Sequence, residues 1–139
     1  MKQLLAGACL ASGAAVFAAE LTPPQAEFFE SKIRPVLVER CYKCHSASTD
    51  KLKGGLKLDT RADTLKGGDT GPALVAGDVE KSLIIQAVRY TDPDFPMPPT
   101  NKKLSAEQID DPEAWVKMGS PDPAPTGREA QRVVGTCRA

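Results

Sequence analysis

Three stretches of the chain repeat apolar residues at helical spacing, and the segments between them do not. Phe29, Ile33, Val36 and Leu37 stand at i, i+4, i+7 and i+8, one face of a helix that runs toward Cys41. Thr22 as cap, Pro23 at the first helical position and Gln25 three residues after the cap mark its start. Pro35 has no N–H to bond the carbonyl of Ser31, so this helix is expected to kink or divide there. Leu83, Ile84, Ala87 and Val88 share a face of a second helix, expected from Asp78 to the Arg89-Tyr90 pair. The third begins at Ser105, with Gln108 completing a capping box, Leu104 and Ile109 as a staple, and Trp115, Val116 and Met118 on its apolar side. A proline inside a helix costs about 3 kcal/mol. Asp111-Pro112-Glu113 would start a fresh helix well, so a break is expected near Asp111.

Between the first two stripes the period shortens. Leu56 and Leu58 alternate with Lys57 and Asp59, which suits a strand fragment and nothing longer. Thr60 to Lys66 reads as a helical turn stopped by Gly67. Glycines at 54, 55, 67, 68, 71 and 77 lack the Gly-x-Gly-x-x-Gly spacing and the flanking strand and helix of a nucleotide loop. They are expected to turn the chain sharply or let backbone lie close against a flat cofactor. The fold class expected is mainly α, with long Gly/Pro-rich loops.

Composition sharpens this picture. With 18 Lys and Arg against 18 Asp and Glu there is no charge field to attract nucleic acid or an anionic membrane. Aromatics make up only 5% of the 139 residues, a thin stock of large apolar side chains where core area is already scarce. A bound apolar group would supply the missing bulk.

Cys41-Tyr42-Lys43-Cys44-His45 points to that group. Two cysteines three positions apart lie on one face of a helical turn, where both sulfurs can take up the vinyl groups of one haem. The imidazole of His45 then serves as proximal ligand to the iron. Other readings of the pair fit less well. A thioredoxin-type dithiol expects a strand before it and a helix after, and here a helix precedes. A closed zinc site wants four Cys or His ligands, whereas His45 is the only histidine and Cys9 and Cys137 lie near the chain ends.

A soft sixth ligand is available in Asp92-Pro93-Asp94-Phe95-Pro96-Met97-Pro98-Pro99. Prolines on both sides stiffen the backbone and hold Met97 out on a rigid loop, fifty-two positions after His45. A thioether opposite an imidazole raises the potential of haem iron. Met97 as a gap-filling side chain is the competing reading.

Met1 to Ala19 reads as a secretory signal, with Lys2 at the start, an apolar and small-residue run, and Val16-Phe17-Ala18 before the cut. That run is short of the ~20 residues a membrane span needs. Cys9 leaves with the signal. The expected product is exported, periplasmic or at the cell surface, and any membrane association would run through a partner. Beyond Gly119 the composition turns linker-like, and Cys137 there is either a free thiol or an intermolecular one.

Taken together, these residues resemble the planctomycete cytochrome c domain, a class I c-type cytochrome module of larger exported proteins. The resemblance rests on Phe28-Phe29 with Ile33-Arg34-Pro35, the Cys41–His45 motif, Lys53 to Asp59, and Gly67 to Pro72. It continues through Ser82-Leu83-Ile84, Met97-Pro98-Pro99 and Glu113 to Gly119. It implies a small helical fold wrapped around one covalent haem c, held at Cys41 and Cys44 with His45 and Met97 on the iron. The chain then divides into a signal peptide (1–18), an N-terminal extension and helix start (19–27), a haem domain (28–123) and a linker-like or truncated tail (124–139). The expected activity is one-electron transfer to a redox partner, with no catalytic residues. An open sixth position, giving a peroxidase or gas sensor, is the alternative, and neither nucleic acid nor a homo-oligomer is called for.

Overall fold

The computed structural model describes residues 21–99 and 102–123; the signal sequence, Cys9, the tail and Cys137 lie outside them. Helix α1 (Pro23–Phe28) opens as its capping residues require, with the Thr22 N–H donating to Gln25 Oε1 at 3.0 Å. The helical path then continues through a π-helical turn (Phe29–Ile33), α2 (Arg34–Val36) and a second π-helical turn (Leu37–Cys41).

Pro35 therefore does not end the helical path, but it sits in a three-residue α-helical piece between two π-helical turns, so the regular helix is divided around it. In the wide turns the bonding step is five residues, with the Arg34 N–H donating to Phe29 and the Tyr42 N–H to Leu37. A widened turn re-registers the carbonyls around a residue that has no N–H. Phe29, Ile33 and Leu37 stay aligned and buried.

Helix α3 (Arg61–Lys66) is capped by Thr60, whose hydroxyl accepts from the Asp63 N–H at 3.1 Å, and it ends at Gly67 with φ 77°. The strand fragment expected at Leu56 and Leu58 does not form. The described residues hold no strand, only an isolated bridge between Gly68 and Gly71. Leu58 instead donates its N–H to the carbonyl of His45 at 2.9 Å, so the segment's backbone partner is the Cys-x-x-Cys-His loop rather than another strand.

Helix α4 (Leu83–Arg89) starts five residues later than expected. Ser82, fully buried, donates its hydroxyl to the carbonyl of Asp78 at 2.7 Å and accepts from the Val75 N–H at 3.0 Å. These bonds fold 75–82 into a compact loop in place of a first helical turn.

Helix α5 (Ala106–Lys117) has the expected capping box, Ser105 N–H to Gln108 Oε1 at 3.1 Å and Gln108 N–H to Ser105 Oγ at 3.2 Å. It passes through Pro112 without the expected break. Trp115 and Val116, 3% and 0% exposed, lie just beyond, and burying them as one face offsets the local cost of the proline. Trp115 packs on Phe29 with ring centroids 5.7 Å apart and donates its indole N–H to the carbonyl of Pro121 at 2.7 Å.

Around this pair the core gathers Ile33, Leu37, Leu58, Leu74, Ile85 and Val116. Arg89 ties α4 to α5 by donating to Glu113 at 2.7 Å and reaches Glu80 at 2.8 Å. Arg61 ties α3 to the chain's exit from α5, donating to the carbonyls of Ser120 at 2.9 Å and Gly119 at 3.2 Å. No helix among the described residues is long and apolar enough to cross a membrane.

Candidate functional site

The end of the second π-helical turn delivers Cys41 to the edge of a cavity of about 410 Å³. Tight backbone bonds curl the chain there: the N–H groups of Cys44 and His45 both reach the carbonyl of Cys41 at 3.0 Å. Two long-range bonds then pin the loop, Lys53 N–H to the Cys44 carbonyl at 3.0 Å and Leu58 N–H to that of His45. Asp59 holds it from outside, accepting from Ser46 Oγ and from the Ala47 N–H, each at 2.8 Å. Cys41, Cys44 and His45 all line the cavity, and both thiols are free.

The opposite approach is made by the proline-rich loop. The Met97 N–H donates to the carbonyl of Ala87 at 3.0 Å, tying the loop to the last turn of α4. Tyr90, in a left-handed conformation at φ 63°, closes that helix and donates its hydroxyl to the carbonyl of Pro98. Met97 lines the same cavity as the Cys-x-x-Cys-His motif and is 37% exposed. The structure thus brings all four sequence-predicted site residues to one wall system.

Leu83, Ile84, Ala87 and Val88, the predicted face of α4, form another part of that wall. Gly54, Gly68 and Gly71 contribute bare backbone. At Gly68 a Cβ would stand 2.1 Å from the carbonyl oxygen of Gly54, so this wall exists only because two backbone segments touch.

The electrostatics separate the competing chemistries. Burial, reinforced by the neighbouring Cys44, pushes the Cys41 thiol up to about 11, the opposite of the depressed value a dithiol nucleophile needs. Burial likewise raises the Tyr42 hydroxyl to about 12. Among the described residues no three His, Cys, Asp or Glu side chains converge as a metal cage would require.

The residues present do fit a haem. The cavity is apolar apart from its two thiols, the imidazole, Thr70 and two cationic side chains, and it is walled partly by backbone that a flat ring can approach. His45 lines the cavity, and among the described residues its buried Nδ1 has no hydrogen-bond partner. Cys41 and Cys44 are the residues that would hold the porphyrin, and His45 and Met97 those that would hold its iron.

Sequence reasoning missed Arg40, Lys53 and Asp59. Arg40 directly precedes the first cysteine and Asp59 follows the Leu56/Leu58 alternation, signals that have meaning only once the loop is seen folded against both.

Comparison with known families gives one match. The family model described as planctomycete cytochrome C matches residues 41–101, just under half of the chain, from the first cysteine of the motif to four residues past Met97. A cytochrome c domain implies haem binding and haem-based electron transfer in general, the work of an electron-carrier module. The helical, strand-free architecture of the described residues agrees with that family. No curated protein and no solved structure matches the chain.

Proposed function

We propose that the chain is an exported one-electron carrier module, periplasmic or at the cell surface, holding a single haem c. Cys41 and Cys44 form its thioethers, and His45 and Met97 are the axial ligands. The observation that carries this reading is the meeting of these four side chains, Met97 coming fifty-two positions after His45, on one apolar cavity of about 410 Å³. When bound, the haem supplies an iron centre that cycles between Fe(II) and Fe(III).

The chain's own residues set the conditions for that exchange. Leu83, Ile84, Ala87 and Val88 exclude water from the cavity wall, which disfavours the more charged oxidised state. Hydrogen bonds at both carbonyls of Cys44 and His45, with the Asp59 clamp behind them, keep the imidazole in place through an electron's arrival and departure. The backbone bond from Met97 to Ala87 does the same for the thioether. With His45 engaged, no histidine remains to move protons, and none is needed.

The test is the mass and colour of the mature protein after export by a bacterial host that has haem-attachment machinery. Expected is loss of residues 1–18, gain of one haem and no titratable thiol at Cys41 or Cys44. Colourless material with both thiols free overturns the proposal. Met97→Ala should lower the potential and alter the reduced spectrum; an unchanged spectrum would instead favour the open sixth position of a peroxidase or gas sensor.

A further inference from the structure

Among the described residues, Arg40 and Lys53 are the only charged side chains lining the cavity, and no Asp or Glu lines it. An apolar chamber with two cations on its wall and no anion suits a ligand with an apolar body and an anionic periphery. Arg40 is the better built of the two. It sits in the π-helical turn Leu37–Cys41, directly before the first thiol, with its side chain 30% exposed. One terminal nitrogen meets Glu39 at 3.2 Å, but Glu39 is 64% exposed, and such a surface pair holds its partner weakly. Nε is buried and, among the described residues, has no hydrogen-bond partner. A buried donor on a charged group left without an acceptor is costly, more so than a neutral one.

We infer that Arg40 is a positioning residue that anchors a carboxylate of the haem, with Lys53 as the second cation on the same wall. This rests on the haem reading above, since it is the propionate groups of the porphyrin that supply the carboxylates. The planar guanidinium suits a carboxylate because two parallel N–H donors match its two oxygens, which a lysine ammonium cannot reproduce. Two electrical consequences follow. The positive charge beside the ring favours the reduced iron, and the same charge keeps the propionate ionised across the working range. The groups acting on it are Arg40, its neighbour Glu39, Lys53, and the Cys41, Cys44 and His45 side chains of the wall.

The experiment compares holoprotein from the full chain, Arg40→Leu and Arg40→Lys. Redox titrations run from about pH 5 to about pH 8, across the range where a carboxyl released from its cation regains its proton. The propionate bending mode is read by resonance Raman spectroscopy. Expected for the parent is a potential flat with pH. Arg40→Leu should show a lower potential that climbs as pH falls, because a protonated propionate no longer opposes reduction. Arg40→Lys should recover most of the potential while shifting the bending mode, since charge returns without the two-donor fork. An Arg40→Leu protein with the parent's potential and pH profile overturns the inference. Should Arg40→Leu not accumulate, an unmoved bending mode in Arg40→Lys overturns it equally. A parent that carries no haem sinks the function itself, whereas haem in every variant with identical titrations sinks only the role of Arg40.

Discussion

Ile84 and Ile85 are neighbours on α4, yet only Ile84, which packs against the core from outside, also faces the cavity. Ile85 is 0% exposed and belongs to the core around Phe29 and Trp115, while Ile84 is only partly buried and lines the cavity. The core is closed by its own large side chains. The cavity wall is apolar too, and Leu58 and Ala73 belong to both regions, but the wall's inner side faces open space and is shaped by glycine backbone and hydrogen-bonded loops. One region is finished by the chain alone; the other is finished by whatever fills it.

The largest expected effect breaks the two regions apart. Trp115→Ala removes a ring that packs on Phe29 and bonds Pro121, and should cost about 3–5 kcal/mol whether or not haem is attached. Leu83→Ala on the cavity wall should cost under about 1 kcal/mol in a Cys41→Ser/Cys44→Ser chain and roughly 1–2 kcal/mol in holoprotein. Urea unfolding of the parent, Trp115→Ala and Leu83→Ala, each with and without haem, measures both differences. Equal costs for Leu83→Ala in the two forms would mean that the wall is already packed and the distinction is false.

Gly68→Ala sharpens the cavity side alone. Its Cβ would stand 2.1 Å from the Gly54 carbonyl oxygen and 2.9 Å from the Leu56 nitrogen, both backbone atoms that cannot swing aside. A cost of about 1–3 kcal/mol is expected from the forced separation. With it should come a loosened His45, because Lys53 and Leu58, on either side of Gly54, bond the Cys44 and His45 carbonyls. Chemical denaturation gives the first quantity and proton NMR of the imidazole the second. A variant as stable as the parent, with unmoved imidazole signals, would show that the backbone contact shapes nothing.

The same division explains what the sequence could disclose. The Phe29, Ile33, Leu37 stripe and the two capping boxes were legible because spacing and cap chemistry are local. So was the face Leu83, Ile84, Ala87, Val88, although periodicity could not tell that it borders a cavity rather than the core. Cys41, Cys44, His45 and Met97 stood out by residue type, and the fold brings them to one cavity. Pro112 misled because its local cost is offset by packing that a single helix does not contain, Trp115 and Val116 above all. The strand at Leu56 and the helix start at Asp78 failed for a related reason. Their backbone groups are claimed by the distant His45 carbonyl and by the Ser82 side chain. Arg40 was invisible because its meaning lies in a missing partner.

The smallest effect lies at the seam between the regions, where Asp122 follows α5 back toward the Cys-x-x-Cys-His helix. Burial raises its carboxyl from 3.8 to about 6, against the opposing pull of Arg34 and Arg61, with the Glu30 carboxylate adding to the rise. A folded-state value above the unfolded one means that the folded protein binds this proton more tightly. The contribution is therefore fully present below about pH 4 and is lost as pH rises through about 6. Asp122→Asn keeps a neutral side chain at every pH, so its stability relative to the parent should grow between those values and level off above them. Partial exposure of the site keeps the gain small. Denaturation midpoints of both proteins across that window give the difference directly, and groups that titrate in both, the haem propionates included, cancel from it. A difference independent of pH would place Asp122 in water and leave Arg34 and Arg61 with no buried acid between them.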